Sequence, residues 1–441
     1  MTDIWATNWK KRPYWLDATP EYPARQIQPP SSTEVLIIGS GYTGLNAALE
    51  TARAGRATLV LDAGDIGFGC STRNGGQIDT SIKPSLLSLS RKYGEAKAMA
   101  IRKEGKDALD WIEERIKTEK IECAFDRCGR FHAAHTPKHY DSLAREADAL
   151  HRNEDIPSRV ISKHEQRDEL GTDFYHGGLV FPLHASVDPA RYHHGLLSAV
   201  RRAGADVLGN CAVISIARDG KDFIAETALG NIRARDVIVA TNGYTGRITP
   251  WLRRRVIPIG RYIIATEPLP APLMDQLFPK NRIISDTRKV VYYFRPSPDR
   301  TRILFGGRVS ADETDAGISG PRLHDDMCLI FPELKSCKIT HSWAVTVAYS
   351  FDELPHTGIH DGIYYAMGYC GKGISLSSYL GMRIGQKLLG LKEGSTAFDD
   401  VNYPTRPFYT GNPWFLPPIV AWYRWRDRMR PRRKSPDLRA S

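Results

Sequence analysis

The 441-residue chain has little of what would mark a protein for the cell exterior or for a membrane interior. Its seven cysteines (Cys70, Cys123, Cys128, Cys211, Cys328, Cys337, Cys370) are odd in number and scattered, with no CxxC pair. Cys123 and Cys128 have no second pair to complete a zinc site, so no metal is expected. A disulfide scaffold is excluded on the same count, and reduced thiols in the cytoplasm are expected. No apolar stretch reaches the ~18–20 residues of a membrane-spanning helix. The first residues, with Trp5, Trp9, Lys10, Lys11 and Arg12, lack the apolar core of a signal peptide. Internal repeats and low-complexity linkers are missing as well, which argues against a solenoid or separate beads.

What is present is ordinary globular material, 41% hydrophobic and 25% charged. The length suits two or three domains of ~100–200 residues. Much of the net charge of +11 sits near the end, in Arg424, Arg426, Arg428, Arg430, Arg432, Arg433 and Lys434. A solvated basic tail accounts for it without a nucleic-acid partner.

Chemistry enters at Gly39-Ser40-Gly41-Tyr42-Thr43-Gly44, which follows the apolar run Val35 to Ile38 and opens a segment with Leu45, Ala48, Leu49 and Ala52 at helical spacing. Gly39 permits a tight turn, Gly41 lets a pyrophosphate approach the backbone, and Gly44 lets the helix pack on the strand. The backbone of Tyr42 and Thr43 then offers helix N-terminal donors to phosphate. Asp62, followed by Ala63, ends the second predicted strand at the distance where a carboxylate accepts hydrogen bonds from a free ribose. A dinucleotide site is expected.

Both NAD and FAD satisfy that pattern. Two further features favour FAD. The strand "DVIVATNG" (236–243) ends in small residues, and "YYAMGYCGKGISLS" (364–377) is a second strand, glycine loop and helix start. Backbone donors from Gly371 to Ile374 could stabilise negative charge on a reduced flavin ring.

Alternation along the chain predicts an α/β protein: a Rossmann-like dinucleotide-binding domain in several segments, with an antiparallel-sheet substrate domain inserted. The expected partition is an N-terminal surface arm over 1–33, the dinucleotide domain over 34–90, 180–248 and 335–395, the substrate domain over 91–179 and 249–334, and a C-terminal extension over 396–441. Residues 95–118 and 138–152 read as helices.

Several motifs resemble the D-amino-acid-oxidase-like (DAO) family of FAD-dependent oxidoreductases, and in particular its gamma-glutamylputrescine oxidoreductase-type branch. They are VLIIGSGYTGLNAALETAR (35–53), GFGCSTRNGGQI (67–78), VIVATNGYTGRITP (237–250), VIPIGRYIIATEPL (256–269), ILFGGR (303–308), FDELPHTG (351–358) and GYCGKGISLS (368–377). The ending NPWFLPPIVAWYRWRDR (412–428) is similar too. The resemblance implies a cofactor loop contributing Cys70, Ser71, Thr72, Asn74, Gly75, Gly76 and Gln77. It places the Val213 backbone at the adenosine half, and Thr241 with Gly371, Lys372, Gly373 and Ile374 beside the ring. Without a histidine in the 67–78 loop, FAD is expected to be held non-covalently, with Cys70 and Cys370 as packing residues.

Two departures bear on the substrate. Lys372 stands where the family commonly has histidine, and it would favour anionic reduced flavin or an acidic substrate. The strand "SWAVTVAYSFDELPHTG" lacks the arginine that simple α-amino-acid oxidases use for the substrate carboxylate, so Arg308, Arg295 or Lys372 would meet a charged group instead. Tyr262, Tyr292 and Tyr293 are candidates to line the pocket, although aromatic strand residues are more often core. His184, His193 and His194 read as structural. The expected reaction is hydride removal from a primary or secondary amine, giving an imine that hydrolyses, with O2 as acceptor. A dehydrogenase feeding a quinone or carrier protein, an NAD-binding enzyme and a non-catalytic FAD-binding subunit are the alternatives. In the first of these the C-terminal segment could meet a membrane, but Pro417 and Pro418 argue against a regular helix there.

Overall fold

The computed structural model describes residues 4–19, 28–154, 156–310 and 315–429. The apolar run at 35–38 becomes the strand Ser32–Ile38, in which Val35, Leu36 and Ile37 have no exposed surface. It lies parallel to Thr58–Leu61 on one side and to the end of Gly230–Val239 on the other. Ile363–Met367 and Asp206–Leu208 extend the parallel set outward. Strands this apolar need cover on both faces. The fingerprint helix Tyr42–Arg53 supplies it on one face together with Glu95–Thr118, Pro189–Arg202 and Gly373–Leu388, all sharing one core. Full burial of each Val, Leu or Ile contributes ~1.5–3 kcal/mol, so the fingerprint turn rests on a rigid support.

Among the described residues the second sheet has nine strands and is mostly antiparallel. Its long members Ile257–Thr266 and Ile339–Tyr349 pair antiparallel, and Ile303–Ser310 lies on the other side of the first. Tyr293–Pro296, Ile283–Asp286 and Arg130–Ala133 continue it. An aromatic core including Phe278, Phe294, Phe305 and Phe331 backs this sheet. The fold is therefore α/β, a Rossmann-like layer joined to a large inserted sheet.

The partition differs from expectation in three places. Trp5–Lys10, expected as surface arm, pairs parallel with Ile339–Tyr349 at the edge of the large sheet. Ile339–Tyr349 itself belongs to that sheet, because ten of its residues have antiparallel partners on Ile257–Thr266. Glu95–Thr118 joins the dinucleotide side, since its stripe of Ile101, Leu109 and Ile112 packs with Leu45 and Leu380.

Candidate active site

A cavity of about 1470 Å³ is lined from both sheets. At one end it is built from backbone. Gly39 has φ +109°, and a Cβ there would lie 2.8 Å from the Ala240 carbonyl oxygen. A Cβ on Gly44 would lie 1.9 Å from the Gly39 carbonyl oxygen, so only glycine lets the helix sit this close to the strand. Gly41, whose φ needs no glycine, borders the cavity as the helix N-cap and offers no side-chain cap. Ser71 Oγ accepts the Tyr42 N–H at 3.0 Å, and the rest of the first turn presents the unpaired donors of any helix start. Asp62 Oδ2 accepts from Ser40 N–H (2.8 Å) and Ser40 Oγ–H (2.6 Å), while Oδ1 accepts from Gly64 N–H at 3.2 Å. The carboxylate is thus fixed on the cavity wall with acceptor capacity to spare. His193 Nε2 donates to the Ser40 carbonyl at 2.7 Å. Burial pushes its pKa down to about 4, so a neutral ring buttresses the turn.

The other end is built from side chains around the turn Tyr369–Gly373. Gly371 has φ +83°, and a Cβ there would stand 3.4 Å from the Tyr349 hydroxyl. Arg261 Nη2 donates to that hydroxyl at 3.0 Å, and the Lys83 ammonium lies 4.4 Å from the Tyr349 ring centre. Burial alone would raise the Tyr349 phenol, but Arg261 and Lys83 outweigh it and hold its pKa below the ordinary value. Tyr293 completes the group, its ring 5.8 Å from the Arg261 guanidinium and against Gly75. Arg261 Nε has no hydrogen-bond partner among the described residues. A guanidinium with an unpaired Nε beside a phenol is a donor set for a carboxylate.

Also on the cavity lining, Asp79 receives Lys372 Nζ at 2.7 Å and Arg130 Nη1 at 2.9 Å. Burial would raise the Asp79 carboxyl, but the two cations pull it far below the usual range. Burial and these same cations push His132 down to about 3, leaving it neutral beside Ser285. Among the described residues no cluster of His, Cys, Asp and Glu suits a metal ion.

The sequence profile of the DAO family, described as FAD dependent oxidoreductase, matches residues 34–387. The chain belongs to this family of FAD-dependent oxidoreductases. It is 32% identical over 401 residues to gamma-glutamylputrescine oxidoreductase of Escherichia coli, covering 90% of this chain and 93% of the relative. It is 29% identical over 389 residues to the probable oxidoreductase OrdL of Haemophilus influenzae, covering 87% and 88%. Glycine oxidase from Geobacillus kaustophilus shares the fold with a TM-score of 0.73 at 19% identity, over 86% of this chain and 99% of that one.

The cavity suits the family's cofactor. Glycine backbone, an unsatisfied helix start and an anchored carboxylate fit a pyrophosphate and ribose, and Val213 and Cys211 border the same end. Of the expected contacts, Gly39, Gly41, Tyr42, Thr43, Asp62, Ala63, Cys70, Ser71, Asn74, Gly75, Gln77, Val213, Thr241, Gly371, Lys372, Gly373 and Ile374 border the cavity.

The others do not. Gly44 packs on Gly39, and Thr72 is buried with its hydroxyl on the Gly67 carbonyl. A Cβ on Gly76 would meet the Val187 carbonyl oxygen at 2.3 Å, so Gly76 faces protein. The Tyr42 ring is likewise buried, its hydroxyl donating to Pro189 O at 2.9 Å. Even the Lys372 N–H turns back to Tyr369 O (2.9 Å), leaving Gly373 and Ile374 as first-turn donors.

Among the catalytic candidates, Tyr293 borders the cavity but Tyr262 is 2% exposed in the aromatic core. Successive strand residues face opposite ways, and it is Arg261 that looks inward. Lys372 is no free cation, because Asp79 neutralises it. Arg295 is buried and clamps the Gly76 and Val187 carbonyls. Arg308 lies on Ile303–Ser310, with its side chain outside the described residues.

Arg261, Tyr349, Lys83, Asp79 and Arg130 were missed by sequence reasoning. A lone arginine on an apolar strand was the signal available for the first. Trp15 and Trp343 were missed too: their indole N–H groups donate to Asn74 O and Arg73 O, both at 2.8 Å, and so pin the 70–77 loop. Gln77 adds a tie to the large sheet through the Ile284 and Phe294 carbonyls.

Proposed function

We propose that the chain oxidises the C–N bond of a primary or secondary amine that carries a carboxylate, such as a gamma-glutamylputrescine-like amine or an N-substituted amino acid. The Arg261–Tyr349 pair beside the 369–373 turn carries this reading. Arg261 and Tyr349 hold the acid group, and Tyr293 walls the amine against the 74–75 loop. The backbone of Gly39 to Thr43 with Ser71 would hold the pyrophosphate, Asp62 the ribose, and the Gly373 and Ile374 N–H groups the ring edge. Bound FAD would supply the acceptor for a hydride from the carbon next to nitrogen, leaving an imine that water hydrolyses. With the hydride leaving from a neutral amine, no strong base is required of the protein.

Cys370 is buried, with Sγ on the Gly368 carbonyl at 3.1 Å, and burial raises its pKa to about 11. That is a packing thiol, which supports non-covalent FAD. The names of the E. coli and G. kaustophilus proteins, a gamma-glutamylputrescine oxidoreductase and a glycine oxidase, support an amine or amino-acid substrate. Dioxygen is the proposed acceptor.

The test is anaerobic bleaching of the flavin by a panel of amines with and without carboxylates, followed by peroxide detection in air. Carboxylated amines should bleach it, and Arg261→Met should lower kcat/KM for them by about 10–100-fold, the range for loss of a charged hydrogen bond. Equal bleaching by uncharged amines in both proteins would sink the reading.

A further inference from the structure

Outside the cavity lining, residues 408–425 expose a set of large apolar side chains that neither core absorbs. Phe408 is 94% exposed, Trp414 67%, Trp425 54%, Trp422 52% and Ile419 39%. The last three lie on the helix Leu416–Met429 at three-residue spacing, which places them along one face. The opposite face is anchored, since Leu416 and Val420 pack with Ile257, Ile259 and Tyr409. Pro417 and Pro418 do not break this helix. They occupy its first turn, where the missing N–H groups have no intrahelical acceptor.

We infer that this face docks the enzyme on an anionic lipid surface. Soluble monomers rarely leave so many aromatics in water without a partner, and the composition selects the partner. Tryptophan settles at the headgroup level, where one edge is apolar and the other wet. Cations accompany it: residues 424–441 hold eight Arg or Lys and two Asp, more than half of the chain's net charge of +11. Among the described ones, the Arg426 guanidinium lies 4.8 Å from the Trp422 ring centre, so aromatic and charge are presented together. A protein partner would not require that excess, whereas anionic headgroups attract each such residue by ~1 kcal/mol. The helix lies on the surface: among the described residues none is long and apolar enough to cross a membrane.

The test is co-sedimentation of the full-length holoprotein with vesicles of phosphatidylcholine, with and without phosphatidylglycerol. Binding should require the anionic lipid, weaken with salt, and shift tryptophan emission to the blue. Trp422→Ser with Trp425→Ser should cut vesicle partitioning about tenfold or more, with amine oxidation in solution and flavin content unchanged. Replacing Arg424 and Arg426 by Gln should cost about fivefold for each charge. Equal binding to neutral vesicles, no binding at low salt, or a wild-type dimer that the tryptophan variant converts to monomer would each overturn the inference. The lipid and salt dependence of the wild type decides the matter even where a variant folds poorly.

Discussion

The two ends of the cavity are made of different materials. The dinucleotide end is main chain: Gly39 and Gly44 bring strand and helix to backbone-contact distance, Gly41 borders the cavity, and among the described residues Asp62 is the charged side chain lining that end. The substrate end is side chain: Arg261, Tyr349, Lys83 and Tyr293 meet around one turn, with the Asp79, Arg130 and Lys372 cluster on the same cavity. A backbone site tolerates almost no added atom, because nothing rotates out of the way. A side-chain site tolerates atoms but depends on charge balance and donor geometry. Substitutions at the first end should therefore act on folding and cofactor retention together, and those at the second on specificity.

The hardest blow to this contrast would come from Gly44→Ala. Its Cβ would lie 1.9 Å from the Gly39 carbonyl oxygen, a backbone atom, so helix and strand must separate. The expected cost exceeds about 4 kcal/mol, with loss of bound flavin. Melting temperature and flavin content measure it, and a variant that kept both at wild-type level would show that the turn is not close-packed.

The same contrast explains what could be read in the sequence. A glycine fingerprint is legible because its conformational demand fixes both residue type and spacing, and an acid 22 positions beyond Ser40 completes it. The side-chain end draws partners from afar: Arg261 and Tyr349 are 88 positions apart, Lys372 and Asp79 are 293. No local pattern announces such pairs. Aromatics on a strand suggest a pocket, which makes Tyr262 a candidate, yet Tyr262 and its neighbour Arg261 must point to opposite faces. Trp15 and Trp343 gave no signal either, since their role depends on carbonyls of a loop that only the tertiary fold brings near.

Asp79→Asn probes the charge balance of the Asp79, Arg130 and Lys372 cluster. Lys372 and Arg130 would lose their shared counter-charge, and breaking a buried pair this way costs about 3–5 kcal/mol. The sign with pH follows from the carboxyl, which Lys372 and Arg130 hold well below its usual range against burial. Its stabilisation is present above the unfolded carboxyl range and fades as pH falls below it. Denaturant melts should show that acid limb in the wild type and a shallower one in the variant, while a variant as stable as wild type at neutral pH would mean that solvent already screens the cluster.

His193 tests the backbone end by protonation instead of bulk. Burial lowers its pKa from 6.5 to about 4, so in that window the unfolded chain takes up a proton that the folded chain refuses. Stability is unaffected well above the upper value and falls as pH drops towards the lower one, by about 2 kcal/mol near pH 5. His132, also depressed, adds a slope of the same sign. His193→Gln should therefore flatten only part of the wild-type loss in urea melts at acid pH, and an unchanged slope would remove His193 from the account.

The smallest effect belongs to Tyr349→Phe, and it is the sharpest test of the side-chain end. The ring stays under Lys83, so packing is kept, and only the hydroxyl that receives Arg261 Nη2 at 3.0 Å is lost. Arg261 remains charged and free to meet a carboxylate alone, so the loss is that of one neutral donor, about 1 kcal/mol or roughly fivefold. It should appear as a higher KM for carboxylated amines, with little change in kcat, because an acid group remote from the reacting carbon is held equally in ground and transition states. Flavin content and melting temperature should not move, since the nearest backbone of the cofactor cradle, Gly371, keeps its conformation without that oxygen. A fall in kcat at constant KM would instead place the hydroxyl at the reacting amine and make Tyr349 a catalytic residue.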